Sequence, residues 1–170
     1  MSAHREQDPS QSVPARFAVE SARPDDADAV IELFIEDLRD LRAPVGERGA
    51  LREVFDGLLA EPRATVLVVR ARETGEAVGV LVANELLSVK FAGRSLWIEE
   101  LYVGKRWRRN GLGRLMVVEL LERARDTGVR GIDLEAYQGN APAALLYRAL
   151  GFRRLGRERF HYRFDWEDEG

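Results

Sequence analysis

Between Lys105 and Arg114 the chain reads Lys-Arg-Trp-Arg-Arg-Asn-Gly-Leu-Gly-Arg, a run with the residue types that hold a phosphate. If a helix starts there, about four backbone N–H groups lack partners and its end carries roughly half a positive charge. Gly111 and Gly113 let an anion approach those amides without meeting a Cβ. Lys105, Arg106, Arg108, Arg109 and Arg114 surround them with cations. The assembly suits a diphosphate. Two familiar phosphate loops do not fit. A P-loop needs lysine and a hydroxyl residue after the second glycine, where Arg114 and Leu115 stand; the dinucleotide pattern needs a third glycine, where Met116 stands. A nucleic-acid patch would interleave aromatics, and only Trp107 is present. The plain alternative is a solvated basic turn.

The elements that must position this run are legible from periodicity. Phe17 to Glu20 reads as a first strand, and Arg23-Pro24-Asp25-Asp26 as a helix entry. Val30, Leu33, Phe34, Leu38 and Leu41 recur at helical spacing, and Leu51, Val54, Phe55 and Leu58 suggest a second helix. Thr65–Val69 and Ala77–Ala83 are apolar, β-branched runs about a turn at Gly75, as in a hairpin buried on both faces. Ser95 to Val103 is a further strand. A long helix from about Gly111 to Thr127 shows Val117, Leu120, Leu121 and Ala124 on one stripe. Ile132, Leu134 and Ala136 alternate as a strand; Asn140-Ala141-Pro142 opens a helix that Gly151 stops. Phe152–Leu155 and Arg159–Phe164 close the chain as two strands. The expectation is a mixed α/β fold: about seven strands, mostly antiparallel, with helices on both faces.

Composition narrows the function further. With 170 residues, 45% of them hydrophobic, the chain suits one globular domain, placed at 16–166. Residues 1–15 read as a flexible tail and 167–170 as an acidic one. A net charge of −3 argues against a protein that coats nucleic acid. There is no cysteine and only His4 and His161, so neither a thiolate nor a multi-histidine metal site can be built, and no metal is expected. No apolar run is long enough for a signal peptide or a membrane helix. The expected location is cytoplasmic, with no membrane partner.

Arg108-Arg109-Asn110-Gly111-Leu112-Gly113 resembles the R/Q-x-x-G-x-G/A motif of the GNAT superfamily of acetyl-CoA-dependent N-acetyltransferases. Leu101-Tyr102-Val103 before it is similar to that family's fourth strand. Asn140-Ala141-Pro142-Ala143-Ala144-Leu145-Leu146-Tyr147, running on to Gly151-Phe152, resembles its N-x-x-A-x-x-x-Y-x-x-x-G-F segment. The likeness covers about 16–165 and is strongest from Trp97 to Phe152. It implies acetyl-CoA as donor, with the backbone of Asn110, Gly111, Leu112 and Gly113 on the pyrophosphate and Arg108, Arg109 and Arg114 beside it. It implies strands four and five splayed at a bulge near Tyr102, with pantetheine paired to Leu101 and Val103. Asn140 would flank the pantetheine and Tyr147 the thioester sulfur.

What the chemistry then needs is a base. An alkyl amine has a pKa near 10.4, so the neutral nucleophile at pH 7 is scarce by about 3.4 units, or roughly 4–5 kcal/mol. Glu99 and Glu100, just before the splay, could remove that proton. In a regular strand only one of them would face the cleft; a bulge would change that parity. A strand-four amide, at Leu101 or Tyr102, would meet the developing oxyanion. Tyr147 would be the general acid. Glu36, Asp37, Asp40, Glu53 and Asp56 lie where the family builds its acceptor wall, or else form a solvated acidic face. The implied partner is a small-molecule or peptide amine, and a homodimer is compatible with Leu115 and Val118 lying off the main stripe. The rival reading is a fold of this kind that binds acyl-CoA as a sensor or partner module without turnover.

Overall fold

The computed structural model describes residues 13–137 and 139–164. The chain divides into two compact units, one up to Glu135 and one from Ala136 on.

In the first unit, a short helical turn α1 (Val13–Arg16) leads into β1 (Phe17–Ser21). A 3-10 turn at Pro24–Asp26 and helix α2 (Ala27–Asp40) follow, then α3 (Arg48–Ala60). Strands β2 (Ala64–Ala71), β3 (Ala77–Ser88) and β4 (Gly93–Val103) form an antiparallel meander with β1. Helix α4 (Leu112–Asp126) crosses back to β5 (Gly131–Leu134), which lies parallel to β4. The sheet order is β1-β2-β3-β4-β5.

The apolar hairpin is central because helices cover both of its faces. Val66, Val68, Val80 and Val82 pack with Val30, Ile31, Phe34 and Phe55 of α2 and α3. Leu67, Val69 and Leu81, on the opposite face by strand alternation, are fully buried, as are Met116, Val117 and Leu120 of α4. Gly79 sets the depth of that second layer. A Cβ there would stand 2.8 Å from Val69 Cγ1, 3.0 Å from Tyr102 O and 3.2 Å from Met116 Cε, so any side chain would have to push these neighbours aside.

The second unit contains α5 (Ala141–Ala149) and the residues after it. The expected closing strands at 152–155 and 159–164 do not form: the described residues there have no regular secondary structure, and the sheet has five strands instead of about seven. Alternation predicts which side chains a strand would bury but cannot supply the neighbour whose N–H and C=O must complete the ladder. Phe160, Tyr162 and Phe164 are accordingly exposed. The predicted tails at 1–15 and 167–170 fall mostly outside the described residues; of them only 13–15 are described, within α1. No helix among the described residues is long and apolar enough to cross a membrane.

One polar tie is buried in this frame. Asp26 takes the Arg23 N–H at 2.8 Å and the Arg70 guanidinium at 2.9–3.0 Å, joining the entry of α2 to β2. Its side chain is only 6% exposed. Removing Asp26 takes the acceptor from the Arg23 N–H and leaves Arg70 to Glu20 and Gly75 O, at a cost of about 1–3 kcal/mol. Asp26→Ala should therefore lower the unfolding free energy measured by denaturant titration by that much, whereas Asp25→Ala, on an exposed neighbour, should leave it within about 0.5 kcal/mol.

Candidate active site

The site starts where β4 loses a neighbour. β5 pairs with β4 only from Ser95 to Ile98, so from Glu99 on that edge of β4 has no strand beside it among the described residues. On its other edge β4 stays with β3, and there the register shifts: Val82 faces Glu100 while Ala83 faces Ile98. Glu99 is the extra residue, a β-bulge. The bulge thus falls three residues before Tyr102, where the sequence likeness implies it.

Backbone directions follow from one bond. The Gly104 N–H donates to Val78 O at 2.9 Å. Alternation along an antiparallel ladder then turns the N–H and C=O of Tyr102 toward β3 and those of Leu101 and Val103 toward the open edge. Of the two amides considered for the oxyanion, Leu101 is therefore the one on the open side.

The bulge also decides where the carboxylates point. Glu100 and Tyr102, opposite Val82 and Val80, lie on the α2 face. Glu99 is brought to the same side, where the Asn84 amide of β3 donates to it at 2.7 Å. The regular-strand expectation that only one glutamate faces the cleft gives way, because the inserted residue restores parity. Glu100 is half-buried and hydrogen-bonded to Asp37 of α2. Burial, then the bond to Asp37 and the negative charges of Asp37 and Glu99, push its carboxyl up to about 9. Burial also raises Asp37, while the bond from Glu100 works in the opposite direction. Burial thus favours the protonated form of Glu100 beside the Asp37 carboxyl.

Asp40, one turn further along α2, has the opposite fate. The Lys105 ammonium (2.8 Å), with the Arg108 guanidinium (3.0 Å) and the Tyr102 hydroxyl (2.9 Å), holds it down at about 2. Tyr102 is buried and also reaches Glu36 at 3.4 Å; its burial and its bond to Asp40 raise its own pKa. Of the other acidic residues expected in an acceptor wall, Glu53 is exposed and Asp56 pairs with Arg52 within α3.

The phosphate run forms the predicted helix entry. Gly111 caps α4 in the left-handed region, at φ +71°, with nothing within 4 Å of where a Cβ would stand. The first backbone bond into the helix is Leu115 N–H to Gly111 O, so the amides of Leu112, Gly113 and Arg114 have no acceptor among the described residues. Asn110 braces the turn, its Nδ2 donating to Trp107 O at 2.9 Å and to Arg108 O at 3.2 Å. The cations divide. Arg106 binds Glu76, Lys105 binds Asp40, and Arg108 binds Asp40 and, through Nε, Val103 O at 3.1 Å. Arg109 and Arg114 are exposed and form no ion pair among the described residues. Unpaired amides, a cap without a Cβ and an open strand edge fit a diphosphate with an extended arm.

The matched family model is the Acetyltransferase (GNAT) family, over residues 28–152. The chain belongs to this family of acyltransferases. Members of the family use acetyl-CoA as co-substrate. This GNAT chain is 30% identical over 79 residues to a thialysine N-epsilon-acetyltransferase from Sus scrofa, spanning 46% of each protein, so the match covers about half the length of that relative. Its fold is similar to that of glucosamine-6-phosphate N-acetyltransferase from Arabidopsis thaliana, with TM-score 0.71 and 18% identity over 88% of this chain and 99% of that one. It is similar too to an aminoglycoside acetyltransferase from an uncultured soil metagenomic sample in complex with sisomicin, with TM-score 0.72 and 17% identity over 89% and 99%.

Within the second unit, Asn140 is the N-cap of α5, its Oδ1 accepting the Ala143 N–H at 3.2 Å. Tyr147 lies two turns on, half-buried, its ring edge-on to Phe152 at 5.8 Å; burial raises its hydroxyl pKa. Asn84 was not foreseen from sequence. Its one local signal is a polar residue directly after the apolar run that ends at Ala83.

The Glu100 proton has a thermodynamic consequence. A carboxyl raised from 4.5 to about 9 contributes stability that is full below 4.5 and is lost as pH rises toward 9. Glu99, Asp40 and Arg108 are the other charges that face this pair. Glu100→Gln keeps a donor for Asp37 and cannot ionise. It should melt at least about 2 °C above the parent at pH 8, with the gap closing by pH 4.5. A parent that melts higher at pH 8 would mean that Glu100 is ionised.

Proposed function

We propose that this chain is an N-acetyltransferase that moves an acetyl group from acetyl-CoA to a primary amine of a small molecule or peptide by direct attack, within one domain over 16–166. One observation carries the reading: the bulge at Glu99 sets a carboxylate beside the stretch of β4 whose outer edge has no strand beside it among the described residues. The names of two relatives, both N-acetyltransferases, support the amine as acceptor class. The family match, which runs across the boundary between the two units, supports a single domain.

Acetyl-CoA, when bound, supplies the acetyl group already activated as a thioester. The amides of Leu112 to Arg114 would hold its diphosphate, with Arg109 and Arg114 as the cations that no carboxylate among the described residues engages. The backbone of Leu101 and Val103 would carry the pantetheine arm, and Asn140 would flank it. Glu99 is the general base. Its carboxylate, oriented by Asn84, takes the proton that an alkylammonium must lose before it can attack. Glu100 does not serve, because burial favours its protonated form at pH 7. Tyr147 would supply the proton that the departing sulfur needs; burial, which raises its pKa, favours the protonated hydroxyl.

Two measurements test this. Thiol release against a panel of amines should fall by about 10²-fold or more in Glu99→Gln and recover as pH rises toward the amine's own pKa, while Glu100→Gln stays close to the parent. Loss of turnover in Glu100→Gln with Glu99→Gln unaffected would overturn the assignment of the base, and coenzyme binding without thiol release on any amine would overturn turnover itself. Calorimetry with CoA should show Gly111→Asp weakened by about tenfold or more, since it sets a carboxylate at the cap and forces a side chain into the left-handed region. Unchanged affinity would remove the amide cradle.

A further inference from the structure

Asp40 is the last residue of α2, the end at which the helix dipole disfavours a carboxylate. Three donors from one downstream stretch converge on it: Tyr102 Oη at 2.9 Å, Lys105 Nζ at 2.8 Å and Arg108 Nη2 at 3.0 Å. The Arg108 guanidinium also lies 5.1 Å above the Tyr102 ring, and its Nε donates to Val103 O at 3.1 Å. One carboxylate on α2 therefore grips the segment that leads from the end of β4 to the start of α4.

That segment needs holding. Arg109 sits at φ +64° and Gly111 at φ +71°, two left-handed residues in three positions. A non-glycine residue there costs on the order of 1 kcal/mol and persists only where its surroundings over-determine it. On one side of the turn, Phe17 packs edge-on against Trp107 at 5.8 Å, and the Trp107 N–H bonds Gly104 O at 2.8 Å. On the other side the hold is Asp40. The Lys105 and Arg108 side chains are 62% and 47% exposed, so either pair alone would add little; the shared carboxylate and the stacked guanidinium make them one network.

We infer that Asp40 is a positioning residue for the donor side of the site: by clamping Lys105 and Arg108 it fixes the 105–110 turn that presents the amides opening α4, and Arg108 acts as a strut of that turn instead of a phosphate ligand. The donor half of this inference rests on the proposed function above; the clamp itself does not. It makes coenzyme affinity depend on a residue of the helix that lines the opposite, carboxylate-rich side.

The test is Asp40→Asn in the full chain, read by amide hydrogen exchange over 104–110 and by calorimetry with CoA. Exchange at Trp107 and Arg108 should speed up about three- to fivefold, the size expected of a partly exposed ion-pair network, and the CoA Kd should weaken by a similar factor. The melting temperature should stay within about 2 °C. In a Lys105→Gln, Arg108→Gln background, Asp40→Asn should add less than half of these effects, because its partners are gone. Unchanged exchange, tighter CoA binding, or effects that add in full in that background would overturn the clamp. A parent that binds no CoA, with the exchange result intact, would sink the donor-site reading and support the clamp.

Discussion

From Glu99 onward β4 has, among the described residues, a strand beside it on one edge only, and the arrangement of the site follows from that. A buried backbone amide without a partner costs free energy comparable to a lost hydrogen bond, so the outward-facing amides of the half-buried Leu101 and Val103 invite an extended ligand. The bulge at Glu99 begins where the pairing with β5 ends. It interrupts the regular alternation of the strand and brings an extra carboxylate onto the face that α2 covers. The same local event opens the edge and places the group proposed to act beside it.

The carboxylates of α2 and β4 show how burial and donors decide charge. Asp37 and Glu100 meet each other in a partly buried place without a cation close enough to neutralise both, so the protonated form of Glu100 is favoured. Asp40, three residues further along the helix than Asp37, finds an ammonium, a guanidinium and a hydroxyl and stays fully ionised. Residues of one type, a helical turn apart, thus take up opposite roles. Tyr102 belongs to both settings: its ring is buried in the α2 core while its hydroxyl serves Asp40. Packing of α2 on the sheet and the electrostatics at its end are therefore coupled.

The opposite face of the sheet contributes depth. Gly79 allows Met116 to lie against β3, so that α4 starts close to the end of β4. Gly104 continues this: its N–H closes the ladder with Val78, and Leu33 and Trp107 lie within 3.5 Å of where its Cβ would be. The chain passes from strand to helix through a short, crowded turn, and the amides opening α4 follow directly on the open edge of β4.

Much of this could be read in the sequence, because it is local. The hairpin announces itself through β-branched runs, α4 through its stripe and its glycine entry, and α5 through the Asn140 cap and the stop at Gly151, which adopts φ +92°. The basic run and the Asn140-to-Phe152 segment pointed to the family for the same reason: their residues are neighbours in the chain. Other features needed the folded chain. Which side of β4 Glu99 occupies depends on its register against β3, and register is set by a partner strand 15 residues away that supplies Asn84. The basic run reads as a ring of phosphate ligands, yet Asp40 and Glu76 claim three of its cations from distant elements. At 152–164 the alternation is present but the strands are not, since a strand exists only through hydrogen bonds to a neighbour. The sequence by itself thus determined the helices, the first five strands, the caps and the family, all carried by short-range spacing; the fold decided parity, charge state and which arginines are tied to carboxylates, because these depend on groups that only tertiary packing brings together.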